Sequence, residues 1–384
     1  MLELETALKS LTEGFLALWH SPQSAVMIAL GCVLIYLAIK KGFEPLLLIP
    51  IGFGAILINL PLTGLWLTED GKPGLLKMLY DVGIVTDVFP CLIFIGIGAM
   101  IDFGPLLAKP FLLLLGAAGQ FGIFLTVILA LQANFTKVES CAIGIIGACD
   151  GPTAIYVTSK YASYLLPAIS VAAYSYMSMV PILQPPVMRL LTTKKERQTV
   201  MPAPQQKVSK TVKILFPLVV ALIACIIAPL GAPLIGLLML GNFLRESGVV
   251  GRLAQSAQNE IANIVTLLLG IAIGSTMRGE LFLNKQTLLI FGFGLIAISL
   301  DTVAGVLLGK LMYLTSRGKV NPLLGAAGIS AFPMSARVVQ REGQKANKRN
   351  YLLMYAMGAN SGGQIGSVVS AGVMLSVLHS LHIT

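Results

Sequence analysis

The chain has 384 residues, of which 56% are hydrophobic and only 11% charged, and its mean hydropathy is +0.84. A soluble domain carries about 25% charged residues, so the composition excludes one and defines an integral membrane protein whose apolar runs reach the roughly 20 residues that span a bilayer. The net charge of +10 lies in short loops without interleaved aromatics, which reads as cytoplasmic loops and excludes a nucleic-acid surface.

In chain order, residues 1–22 are an N-terminal interfacial segment, expected as an amphipathic helix over 2–20. Glu3 and Glu5 stand where a signal peptide would have a basic run, which argues against a cleaved leader. The first membrane unit, 23–191, has apolar runs at 24–39, 44–62, 85–101, 110–132, 138–157 and 164–191, with a mixed, interfacial stretch between 62 and 85. A basic, proline-bearing linker follows at 192–213, expected in the cytoplasm. The second unit, 214–384, has runs at 214–229, 233–246, 260–277, 287–309, 320–337 and 352–379. The five cysteines lie in apolar segments without a C-x-x-C pair, and the three histidines sit near the termini; neither set suggests a transition metal or a disulfide.

Six runs, a linker and six runs point to a duplication. Gly147-x-x-x-x-Pro152 recurs as Gly328-x-x-x-x-Pro333 at a shift of 181, Pro50…Asn59 as Pro233…Asn242 at 183, and Ile97-Gly98 as Ile273-Gly274 at 176. Keeping the linker and the basic Arg341–Arg349 stretch cytoplasmic makes 320–337 and 138–157 re-entrant hairpins entering from opposite sides. The expected fold is all-α and polytopic: two inverted-topology repeats, about ten transmembrane helices and two opposed re-entrant hairpins, with the N-terminus outside.

Such hairpins form the site of an inverted-repeat transporter, where half-helix ends offer N–H groups to anions and bare carbonyls to cations. The first tip centres on Asp150, followed by Gly151 and Pro152, a sequence through which helical hydrogen bonding hardly continues. An ionisable residue at such a break in lipid is a functional-site hypothesis; that Asp150 caps the helix Pro152 starts is the compatible, plainer reading. The second tip carries Ser330 and Ser335 without a carboxylate. Arg337, one turn past Pro333, reads either as a snorkelling surface arginine or as a fork for a carboxylate. Gly358–Ser367, with Asn360, is either unwound or closely packed, and Asn360 could offer its amide oxygen. In the run 164–191, Tyr174 and Tyr176 lie in mid-membrane, and packing explains one such tyrosine as easily as chemistry does. Asp150 with hydroxyl and amide oxygens suits Na⁺ or H⁺ better than a divalent ion. Asp301 is a second candidate carboxylate, whereas Asp87 and Asp102 read as interfacial.

The segments GACDGPTAIYV (147–157), GISAFPMSARVVQ (328–340) and MGANSGGQIGSVVSAGVM (357–374) resemble the signatures of the β subunits of sodium-pumping, biotin-dependent decarboxylases acting on oxaloacetate, methylmalonyl-CoA, glutaconyl-CoA or malonate. FEPLLLIPIGFGAILINLP (43–61) and IGAMIDFGPLLAKP (97–110) are similar to that family too. The resemblance implies a multi-pass subunit of the cell inner membrane. It would decarboxylate carboxybiotin supplied in trans, consume a proton and export Na⁺, since this chain has no Met-Lys-Met biotin-attachment motif. The implied partners are a carboxyltransferase, a biotin carrier and a small membrane-anchoring subunit, in a homo-oligomer. The implied catalytic residues are Asp150, Tyr176 beside it, and Arg337 holding the incoming carboxylate; the implied Na⁺ ligands are Asp150, Asn321, Ser330 and Asn360, with Gly325 lining the second site. The rival reading is a stand-alone Na⁺-coupled carboxylate transporter.

Overall fold

A computed structural model describes residues 12–42, 44–68, 70–202 and 208–382. These residues are helical, with β pairing confined to one isolated bridge between Leu67 and Pro73. Among the described residues, seven helices are long and apolar enough to cross a membrane, and an eighth arises if Leu75–Val85 and Val88–Met100, bent by 60°, count as one span. The protein is an all-α polytopic membrane protein.

Several boundaries differ from the sequence reading. Only the end of the expected 2–20 helix, residues 12–19, lies among the described residues, and it is helical. Within the stretch 62–85, residues 75–85 are helical and lead into Val88–Met100 at a bend of 60°. The linker has structure: Thr193 and Glu196 make a reciprocal capping box for the turn Lys194–Arg197, while 203–207, including Lys207, lie outside the described residues. Leu353–Ser380 is one continuous helix, so its glycines serve close packing instead of unwinding. A side chain on Gly363 would run into the backbone of Gly328, and one on Gly116 into that of Gly362.

Both hairpins form where the sequence breaks. Thr136 caps Lys137–Gly144 with Glu139 in a capping box; the chain tightens through Ile145–Ala148, turns at Cys149 with φ of 53°, and leaves as Gly151–Tyr161. The second hairpin enters as the tight helix Pro322–Gly328 and leaves as Met334–Ala346. The tips bond directly, Ser330 N donating to Ala148 O at 3.1 Å.

Several features occur in pairs, one in each half of the chain. The five-residue wide turns Asp81–Val85 and Ala257–Ile261 are 176 residues apart. Asn59 donates to Met277 O at 2.7 Å, and Asn242 to Ile101 O at 2.8 Å, so each half caps a helix of the other. The buried apolar side chains divide into two clusters. One is built largely on Pro22–Lys41, Pro45–Asn59 and Ala262–Gly274, and the other on the hairpins and the long helices.

Candidate functional site

Asp150 occupies the N-cap position of Gly151–Tyr161, yet its side chain makes no cap hydrogen bond. Three side-chain donors instead converge on Oδ2: Thr153 Oγ1 at 2.6 Å, Gln364 Nε2 at 2.6 Å and Ser367 Oγ at 3.1 Å. The residue is only 4% exposed. A carboxylate with three such donors is stabilised in its charged form, and the hydroxyls and the amide oxygen can turn to face a cation. Thr153 comes from the hairpin itself, one turn on. Gln364 and Ser367 come from one face of Leu353–Ser380.

Asp150 lies in a cavity of about 670 Å³ that also contains Ser330 and ends at the exposed Arg337. The two apolar clusters meet across it. Glu44, Gln258, Thr266, Tyr174 and Gln364 are among its lining residues. No ion pair holds Arg337 among the described residues, so its guanidinium is available at the mouth.

The other sequence-predicted residues fall at different distances from this centre. Ser330 donates to Gly363 O at 2.8 Å and lines the cavity. Asn360 donates to Ile329 O at 2.6 Å, and its buried Oδ1 has no hydrogen-bond partner among the described residues. Asn321 is not brought to the cavity: it starts Pro322–Gly328 and donates to Arg197 O and Thr199 O in the linker at 3.1 and 2.8 Å. Gly325 packs against Gly305. Tyr176 donates its hydroxyl to Phe291 O and packs on Gly294. The tyrosine against the Asp150–Gly151 turn is Tyr174, 1% exposed, its ring filling the space a side chain at Gly151 would need and its hydroxyl without a hydrogen-bond partner. Asp301 is fully buried and accepts from Gly122 N. Asp102 stays half exposed beside Lys213, as an interfacial residue does. Asp87 departs from that reading: it is 6% exposed, paired with Lys160 and bonded to Ser159 Oγ at 2.8 Å.

Sequence reasoning missed Thr153, Tyr174, Gln364, Ser367 and Glu44. The signal for Gln364 and Ser367 was present, since the three-residue spacing puts both on one helical face.

A polytopic helical protein whose buried carboxylate sits where two broken hairpins touch has the architecture of an ion-translocating membrane protein. Comparison of sequences defines it further. The chain belongs to the family of Na⁺-transporting oxaloacetate decarboxylase beta subunits, whose profile matches residues 23–378. It is 50% identical over 374 residues to the methylmalonyl-CoA decarboxylase subunit beta of Propionigenium modestum, covering 92% of this chain and 94% of that one. The glutaconyl-CoA decarboxylase subunit beta of Acidaminococcus fermentans is 51% identical over 366 residues, 95% of each chain. The oxaloacetate decarboxylase beta chain 2 of Salmonella typhi is 45% identical over 426 residues, covering 96% of this chain and 98% of that one.

Proposed function

We propose that this chain decarboxylates carboxybiotin delivered by a biotin carrier subunit and couples that reaction to Na⁺ export across the cell inner membrane. One observation carries the reading: a triply hydrogen-bonded Asp150 in the same cavity as an unpaired Arg337. Arg337 receives the carboxylate of carboxybiotin by bidentate hydrogen bonding. The bond between the ureido nitrogen and the carboxyl carbon breaks, CO₂ leaves, and the nitrogen takes up a proton. Asp150 binds Na⁺ or H⁺ in alternation, with Thr153 and Ser367 hydroxyls as further oxygens. Ser330 and the unpartnered Asn360 Oδ1 complete the cation path, and Asn321 acts on it by fixing the start of the second hairpin. Tyr176 handles the proton one helix away from the carboxylate.

Exclusive occupancy of Asp150 supplies the coupling, because Na⁺ leaves before the proton binds. Moving one charge against 100 mV requires about 2.3 kcal/mol, which the irreversible loss of CO₂ offsets. The protein works in a complex with a carboxyltransferase, a biotin carrier and a small membrane-anchoring subunit, and as a homo-oligomer in the bilayer. The two repeats, 23–191 and 214–384, are inverted about the linker 192–213, with ten spans and two hairpins in all. Which acid is decarboxylated is decided in the carboxyltransferase, in keeping with relatives named for three different substrates. The family does not favour the stand-alone transporter.

The test is decarboxylation of free carboxybiotin by the assembled complex in liposomes, with ²²Na⁺ movement followed alongside. Na⁺-dependent turnover with Na⁺ movement is expected. Asp150→Asn should abolish both, and Arg337→Ala should raise the KM for carboxybiotin. Carboxylate uptake driven by a Na⁺ gradient, without decarboxylation, would overturn the reading.

A further inference from the structure

The mechanism above leaves Asp301 unused, the one acid among the described residues with no exposed surface. Asp301 lies in the middle of Lys285–Thr315, is 0% exposed, and joins no ion pair among the described residues. Its Oδ1 accepts from Gly122 N at the start of Phe121–Gln132. Its Oδ2 has no hydrogen-bond partner and lies against the first hairpin, 2.8 Å from where a side chain on Gly147 would begin.

The duplication tells what such a group does. The shift of 181 that relates Gly147 to Gly328 also relates Gln120 to Asp301. Gln120 Nε2 donates to Gly328 O at 3.1 Å and Gly363 O at 3.3 Å. A side-chain donor of the first half therefore holds the second hairpin at Gly328. At the equivalent place in the second half, Asp301 reaches the first hairpin at Gly147. An ionised carboxylate has only acceptors and cannot make the bond that Gln120 makes. A neutral one carries an O–H on the otherwise unpartnered oxygen, facing a hairpin whose broken helix leaves carbonyls unpaired. The helix start at Gly122 and Ile123 favours charge, but backbone amides alone do not compensate a fully buried carboxylate that has no ion-pair partner among the described residues.

We infer that Asp301 is a neutral carboxyl that positions the first hairpin, donating to its backbone near Gly147 as Gln120 donates to Gly328, and that it carries neither Na⁺ nor the transported proton. This rests on the proposed site, because the hairpin it holds is the one that carries Asp150. It separates the two membrane acids by role: Asp150 exchanges cations, and Asp301 keeps its proton throughout.

The experiment compares Asp301→Asn and Asp301→Ala with the unmodified chain in the assembled complex. Asparagine is nearly isosteric and puts an N–H donor where the O–H stood, so it should rescue what alanine loses. The Asn variant should keep Na⁺-dependent turnover and the KM for Na⁺ within about twofold, whereas the Ala variant should fall by about tenfold or more in kcat/KM. The infrared difference between unmodified and Asn complexes should show loss of a protonated-carboxyl C=O band that does not move when Na⁺ is added. That spectral arm needs no turnover, so it decides the inference even if the decarboxylation reading fails or the Ala variant does not assemble. Loss of Na⁺ coupling in an assembled Asn variant, or a carboxylate band in place of the acid band, would overturn it.

Discussion

At the scale of single residues, the function turns on how Asp150 is solvated. Hydrogen bonds to a charged group are worth about 1.5–3 kcal/mol each, and three side-chain donors replace the water that Asp150 has lost. Gln364→Ala removes one donor without touching the backbone break. It should raise the KM for Na⁺ about tenfold at unchanged carboxybiotin affinity, which Na⁺ titration of decarboxylation would read. Equal affinity for Na⁺ would show that the amide is only a packing group. Asp150 itself was legible in the sequence, because Asp-Gly-Pro cannot run on as helix. Its donors were not, since Gln364 and Ser367 lie 214 and 217 residues away and only the fold brings them near. The neighbouring tyrosine shows the same limit. Tyr174 and Tyr176 share a helix and a composition, and the helical angle between them sends Tyr174 to Gly151 and Tyr176 to Phe291.

At the scale of elements, the second hairpin is held by close backbone approach and by an ion-paired clamp. Gly363 meets the Gly328 carbonyl, so Gly363→Ala should push the second tip off Leu353–Ser380. Overpacking of this kind costs about 1–3 kcal/mol, measurable as a lower unfolding temperature of the purified complex. A Gly363→Ala protein as stable as the parent would mean the helices separate freely. Farther out, Glu342 on the second hairpin's leaving helix accepts from Arg189 at 2.8 and 2.9 Å and from Lys345 at 2.8 Å. Burial alone would raise this carboxyl, but those bonds outweigh it and hold its pKa below the ordinary 4.5. The sign follows: the clamp contributes its full stability above the unfolded value of 4.5, and the contribution is lost as pH falls through the lower folded value. Glu342→Gln should therefore flatten the acid limb of a stability–pH curve and leave its alkaline side alone. Breaks and caps at these elements could be read from Gly, Pro and Thr-x-x-Glu. The wide turns at 81–85 and 257–261 could not, because nothing in Asp-Val-Gly-Ile-Val or Ala-Gln-Asn-Glu-Ile marks a turn and tertiary packing sets it.

At the scale of the whole molecule, the cavity draws its lining from both halves of the chain, and transport requires the site to open to each side of the membrane in turn. Asp150 and Arg337 line one cavity, and on the proposed orientation Arg337 marks its cytoplasmic side. On that orientation a polar tie stands on the opposite, outer side. Asp87, at the start of Val88–Met100, pairs with Lys160 and accepts from Ser159, both at the end of the first hairpin's leaving helix. Hydropathy alone placed Asp87 at a segment end and could not show that a basic residue 73 positions on would pair with it. The pair joins the start of Val88–Met100 to the leaving helix of the first hairpin, whereas Arg337 joins no ion pair among the described residues. Asp87→Asn keeps the shape and the bond from Ser159 but removes the charge that holds Lys160. If the tie closes the outer path, this variant should leak ²²Na⁺ through liposomes lacking any carboxybiotin, while Asp150→Asn in the same background should stop the leak. Decarboxylation should continue with fewer Na⁺ moved per CO₂ released. A tight membrane with unchanged coupling would mean that outer closure rests on the apolar packing of the hairpin and not on the ion pair.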